Sequence, residues 1–147
     1  MTLTAEQRYG DAAAMIIAQR SEAVFALREG VLDTTDIERV HRMRVATRRL
    51  RAALEVFGPA LDRRRGKRAL AEVKALADAL GERRDRDVQL ERLTRLAGDT
   101  TGAERHAIEL LAQELSREQR HANRILQQAL RHAKRSRLRR RLERLAR

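Results

Sequence analysis

The chain has no cysteine and no tryptophan, a single proline, and only Tyr9, Phe25 and Phe57 as aromatic residues. Without cysteine there is no disulfide scaffold, no thiolate-ligated zinc and no cysteine nucleophile. So few rings exclude a platform that stacks successive nucleobases on aromatic side chains. No apolar run approaches the roughly 18 residues that a membrane-spanning helix needs. The amino-terminal segment lacks the basic region and apolar stretch of a signal peptide. The expectation is a soluble chain in the cytoplasm, with no membrane partner.

What remains is helix-forming and basic. The 147 residues fit one domain. A hydrophobic fraction of 42%, much of it Ala and Leu, supports a folded core rather than a disordered basic tail. Lys plus Arg number 33 against 21 Asp plus Glu, a formal net charge of +12. Such a charge seeks polyanions. It is concentrated in two places. Residues 39–51 carry six arginines and no acid, and residues 131–147 carry nine basic residues with Glu143 as the only acid.

Sparse Gly and Pro leave long stretches of helical periodicity. A first helix is expected from about Ala5 to Glu29, with Tyr9, Ala13, Ile16, Ile17, Val24 and Leu27 on its apolar side, and it stops at Gly30. Thr35 and Glu38 have capping-box spacing for a second helix, predicted over Ile37–Phe57 and ended by Gly58-Pro59. A third is expected from about Arg65 to Leu80, with Gly81 at its C′ position. A short fourth, opened by Glu82 or Asp85, runs to Leu96. Thr101 and Glu104 repeat the capping spacing, and beyond Gly102 there is no Gly or Pro. That leaves one long helix or two abutting ones, with Ile108, Leu111, Leu115, Ala122, Leu126 and Ala129 as the stripe. The stripe changes phase near Lys134–Ser136 and resumes at Leu138, Leu142 and Leu145, which places a bend there. Those leucines favour a docked amphipathic helix for the Arg-rich end over a frayed tail. No strand-like alternation competes, so the fold class is an all-α bundle of four to five helices with a long C-terminal helix.

The second helix carries the chemistry. On a wheel of about 100° per residue, His41, Arg44, Arg48 and Arg51 fall within an arc of about 80°. Met43, Leu50, Leu54 and Phe57 lie opposite, and Arg42 and Arg49 flank the ladder. Arginines one turn apart repel one another by a few tenths of a kcal/mol per pair. Lys would serve solubility equally well, yet every cation here is Arg, whose planar fork grips phosphate oxygens two at a time. The ladder therefore looks like a docking strip for repeated phosphates. A plain solvated face is the competing reading, since Arg outnumbers Lys throughout the chain.

Two motifs extend this picture. His41-x-x-Arg44-Val45-x-x-Arg48-Arg49-x-Arg51 is followed by Lys74-x-Leu76-Ala77-x-x-Leu80-Gly81-x-x-Arg84-Asp85-x-Asp87-Val88. Together, in this order and about 20 residues apart, they resemble the CHAD domain, the conserved histidine α-helical domain, and residues 1–147 are similar to its first half. The resemblance implies helical bundles with internal pseudo-symmetry and a basic surface or pore that binds inorganic polyphosphate. By motif, the contacts would be His41, Arg44, Arg48, Arg49, Arg51, Lys74 and Arg84. Lys67, seven residues before Lys74, is supported by spacing alone. Members usually run on to a second related half with its own basic motif. A short natural form, a fragment, and a homodimer that replaces the second half by a true twofold are the three readings open. Association with polyphosphate granules is a further expectation.

Other signals point elsewhere. His41 has no positioned partner for a metal, and His106, His121 and His132 lack the spacing of a zinc helix. It is read either as a hydrogen-bond donor to phosphate or as a packing residue. Asp85 and Asp87 are read as helix-start acids rather than catalytic carboxylates, with Asp85 orienting Arg83 or Arg84. Gly66-Lys67 lacks the spacing and hydroxyl of a phosphate loop. The Glu-x-Glu-x-Lys pattern of the triphosphatases that often accompany CHAD domains is absent. No cofactor, no metal and no catalysis are expected. The competing function is non-specific binding of DNA or RNA through the backbone.

Overall fold

A computed structural model describes residues 8–145. Among them are five α-helices: α1 (Tyr9–Ala26), α2 (Ile37–Val56), α3 (Arg63–Gly98), α4 (Gly102–Arg135) and α5 (Leu138–Leu145), with a 3-10 turn at Gly58–Ala60 between α2 and α3. No strand occurs among the described residues. The predicted first turn of α1, residues 5–7, lies outside them.

α2 begins at the expected residue and ends one short of the expected Phe57. Its apolar side is buried as the wheel requires, with Met43, Leu50 and Leu54 enclosed and Arg48 and Arg49 exposed. The capping boxes do not form. Neither Asp36, at the start of α2, nor Thr101, at the start of α4, caps through its side chain. Instead Asp33 accepts from both the backbone N–H and the hydroxyl of Thr35, at 2.9 and 2.7 Å. The bond from the Thr35 hydroxyl, with that from its N–H, holds the Asp33 carboxyl below its ordinary value. At the same turn Gly30 has φ +72°, and an added Cβ would lie 2.0 Å from an Arg39 guanidinium nitrogen. The backbone there favours glycine, and a side chain would also have to push the Arg39 guanidinium aside.

The largest departure concerns Gly81. It does not end a helix: α3 runs unbroken for 36 residues, and the expected short fourth helix is its second half. A glycine inside a helix costs only about 1 kcal/mol. Leu80 before it and Arg83 and Asp87 after it are all buried on the same helix, and that burial outweighs the cost. The N-cap of α3 is Asp62, whose carboxylate accepts from Arg65 N–H at 2.8 Å.

α1, α2, the first half of α3 and α5 surround one core containing Ile17, Val24, Met43, Leu50, Val73, Leu80, Leu138 and Leu142. α4 pairs antiparallel with α3 along its length and closes on this body only near Leu126 and Ala133. The bend expected near 134–136 is present. Arg137 stands there with φ +55°, and α5 docks through Leu138 and Leu142. Ser136 Oγ donates to Glu72 at 2.6 Å, and Arg141 pairs with the same carboxylate, tying α5 to α3. Burial pushes the Glu72 carboxyl up, but the bonds from Ser136 and Arg141 and the charges of Arg141 and His132 outweigh it and hold the group below 4.5.

Beyond the body, α3 and α4 continue as a two-helix arm. No residue of 88–121 is buried, and among the described residues the helices that α4 packs on are α3 and α5 alone. Of the expected α4 stripe, Ala122 and Leu126 are enclosed, but Leu111 is 52% exposed. Periodicity marks a face without saying whether a third element covers it. Tyr9, placed in the core from the sequence, is 56% exposed. Its ring leans on Phe57 at 5.5 Å, and its hydroxyl donates to the Val56 carbonyl at 3.2 Å.

Candidate phosphate-binding site

The ladder on α2 does not act as one strip. His41 and Arg44 meet Arg84 of α3 around an open cleft of about 570 Å³. Arg48 and Arg49 continue along α2, exposed and without a salt bridge among the described residues. Arg51 and Lys74 lie further on and share one carboxylate: Glu55 is 3.1 Å from Arg51 Nε and 3.8 Å from Lys74 Nζ. The seven residues singled out by motif therefore form a cleft, an open run and a partly neutralised pair.

Each cleft residue is positioned by its helix. The Arg44 guanidinium crosses α3 at Gly81, where an added Cβ would stand 3.8 Å from its Nε. Arg84 reaches back to the start of α2, donating to the Ile37 carbonyl at 3.4 Å and lying 3.8 Å from Glu38. His41 Nδ1 is enclosed and has no hydrogen-bond partner among the described residues. An enclosed polar nitrogen without a partner is unfavourable by about 1–3 kcal/mol.

Because α3 is continuous, Arg84, Val88 and Arg92 succeed one another at four-residue intervals along one side of it. Arg92 lines the cleft with Arg86. Both were missed from the sequence. The i, i+4, i+8 spacing was legible on the expected fourth helix itself; what the sequence did not show is that this stretch faces α2. Arg86 is engaged, at 2.8 Å from Glu82 and 3.5 Å from Glu118. Arg92 has no ion pair among the described residues. Asp85 and Glu118 also line the cleft, so its charge is mixed.

The neighbouring acids divide differently from the sequence expectation. Asp85 and Asp87 stand mid-helix and cap nothing. Asp87, not Asp85, holds Arg83: Oδ1 lies 2.8 Å from Arg83 Nε, and both side chains are fully buried. Arg83 also donates to Asn123 Oδ1 and to the Asp33 carbonyl. Gln119 donates to Asp87 at 2.7 Å, and Asn123 donates to the Leu32 carbonyl at 3.0 Å. This network joins α3, α4 and the α1–α2 loop, and it makes the Arg-Asp-x-Asp stretch partly a structural device.

The CHAD domain family model matches residues 15–147. The chain belongs to the CHAD family. Comparison with curated proteins and with solved structures gave no match. CHAD domains are associated with polyphosphate binding in general. No helix among the described residues is long and apolar enough to cross a membrane. No group of three or more His, Asp or Glu among them is arranged to hold a metal ion.

Proposed function

We propose that this CHAD protein binds inorganic polyphosphate without transforming it, through the cleft and open run of α2. One observation carries the reading. His41, Arg44 and Arg84, from two helices, line a single cleft, and the exposed Arg48 and Arg49 lead on from it along α2. A phosphate chain entering there meets Arg44 and Arg84 and continues along Arg48 and Arg49. From His41 to Arg51 the helix rises about 15 Å, so a long chain engages several sites where a short one reaches few. Arg51 and Lys74 contribute less, because an anion must displace Glu55 from them. Nucleic-acid backbones offer the same charge, but the arginine forks and the chain-length argument favour a compact, repeating phosphate polymer.

The test is a competition titration near physiological salt. Labelled long-chain polyphosphate is bound, then challenged with duplex DNA, single-stranded RNA and short phosphates. Displacement by polyphosphate alone supports the reading; equal displacement per charge by nucleic acid replaces it with a general polyanion surface. Arg44→Ala with Arg48→Ala is expected to weaken binding about 100-fold, two charge-assisted contacts being lost, with the helical circular dichroism unchanged. By analogy with nucleic acids, affinity falls steeply as salt releases counterions.

We also infer that two copies pair, the arm of each supplying the contact. Leu96, Leu110 and Leu111 are exposed on it, and residues 88–121 hold six acids and five bases, so arms meet without the repulsion that the rest of the chain imposes. A monomeric mass by sedimentation at micromolar concentration would end that part of the reading. The cellular place proposed is the cytoplasm, at polyphosphate granules, checked by co-localisation of a fluorescent fusion.

A further inference from the structure

α1 and α4 do not pack against each other among the described residues. The gap between them is a second cleft, of about 530 Å³, on the side of α5. Its floor is apolar: Phe25 of α1, Leu32 of the following loop, Leu76 of α3 and Leu130 of α4. Its rim is cationic, with Arg28, Arg131, Lys134, Arg137 and Arg140, and no carboxylate lines it. The α2 cleft, by contrast, includes Asp85 and Glu118. Among the described residues none of these five rim side chains makes an ion pair or a hydrogen bond. Arg139, also at the rim, is already engaged, 2.7 Å from Glu22 and 3.5 Å from Glu143.

The backbone at the rim is a second observation. Arg137 sits at φ +55° where α4 bends into α5, a conformation that favours glycine over any side chain. A charged side chain kept at such a position is a reason to look for a task for it. Here Arg137 lines the cleft and makes no ion pair among the described residues.

We propose that this cleft is a separate ligand site and that it takes a nucleoside triphosphate. The volume lies in the range of small-molecule sites, roughly 300–1,000 Å³, which pair apolar walls with a few placed polar groups. Several unneutralised cations on one rim match a polyphosphate moiety, since a monoanion would leave most of them facing one another. A bare phosphate chain leaves the apolar floor wet, whereas a base covers it. Gln127 lines the same cleft, and its amide, both donor and acceptor, can pair with a base edge. A lipid phosphate would cover the floor but leave Gln127 without a partner. This site shares no lining residue with the α2 cleft, so it stands or falls independently of the polyphosphate reading.

The test is calorimetric titration of the full chain, at moderate salt, with ATP, inorganic tripolyphosphate and monomeric dodecyl phosphate. ATP is expected to bind about tenfold or more tighter than tripolyphosphate, the base adding apolar burial to the same phosphates. Lys134→Ala with Arg137→Gly should weaken ATP binding about tenfold or more. Arg137→Gly alone should not lower the unfolding midpoint, because glycine suits the left-handed φ, so loss of folding cannot mimic loss of the site. Gln127→Ala should weaken ATP and leave tripolyphosphate unchanged. Arg44→Ala with Arg48→Ala should weaken long-chain polyphosphate and leave ATP unchanged. The proposal is overturned by a smaller preference for ATP over tripolyphosphate, by dodecyl phosphate binding as tightly as ATP, or by ATP binding that follows Arg44 and Arg48 instead of Lys134 and Arg137.

Discussion

The body and the arm of this molecule share the long helices α3 and α4 and differ in what covers them. In the body, four helical segments enclose a core of branched aliphatic residues. In the arm, α3 and α4 meet only each other, and no residue of 88–121 is buried. The arm is near neutral by composition, so nearly all of the net charge belongs to the body. A two-layer domain buries its apolar stripes by stacking; a lone pair of helices cannot, and its stripe stays at the surface for another surface to cover. The lesson is that a periodic stripe on one continuous helix is core at one end and surface at the other.

The sharpest way to break the comparison is at the junction. Asp87→Ala leaves Arg83 buried with no counter-charge, and its removal is expected to lower stability by about 3–5 kcal/mol, read by urea unfolding. A small loss would mean that body and arm are not joined through this pair. Within α4 itself, Leu126→Ala should cost about 2–5 kcal/mol, as for other enclosed leucines. Leu111→Ala should stay within about 0.5 kcal/mol in the monomer, as exposed substitutions do. Equal effects would erase the distinction drawn here. Gly81→Ala places a Cβ in ordinary contact with Arg44 and removes a helix-interior glycine, so a gain of about 0.5–1 kcal/mol is expected. A loss would show that the approach of Arg44 needs the bare backbone.

The smallest effect is a pH dependence in the body. The Glu72 carboxyl lies lower in the fold than its ordinary 4.5. A depressed carboxyl contributes stability above its unfolded value, and the contribution is lost as pH falls through the folded one. Unfolding midpoints are expected to fall below about pH 4.5, and Glu72→Gln should flatten this acid limb while lowering stability at neutral pH. An unchanged limb would show that α5 is held by Leu138 and Leu142 alone.

The two-sidedness of α2 was legible in the sequence. The wheel of α2 separated Met43, Leu50 and Leu54 from the arginines, because a helix facing a core on one side writes its period into the sequence. The bend at 134–136 was legible for the same reason, as a phase change between two stripes. What was legible only in part is which cations remain available. Glu55 reaches Lys74, and Glu38 reaches Arg84, through packing between helices. The i, i+4 spacing of Arg51 and Glu55 could have marked Arg51 as engaged, whereas Arg48 has no acid at that spacing and no ion pair among the described residues. Arg92 stood on an expected helix, but only packing brings it to the cleft beside Arg44 and Arg84; the stop that Gly81 signals is overruled by tertiary burial.

By itself, the sequence determined an all-α fold, the polarity of α2, the place of the last bend and the excess of arginine, because these depend on period, propensity and composition along one stretch of chain. Tertiary structure decided that α3 continues, that Arg83 and Asp87 form a buried pair while Arg84 faces the cleft, and that half of the α3–α4 stripe lies uncovered. Those outcomes depend on which surfaces meet, and burial energies of several kcal/mol set by distant partners exceed the roughly 1 kcal/mol preferences that local sequence expresses.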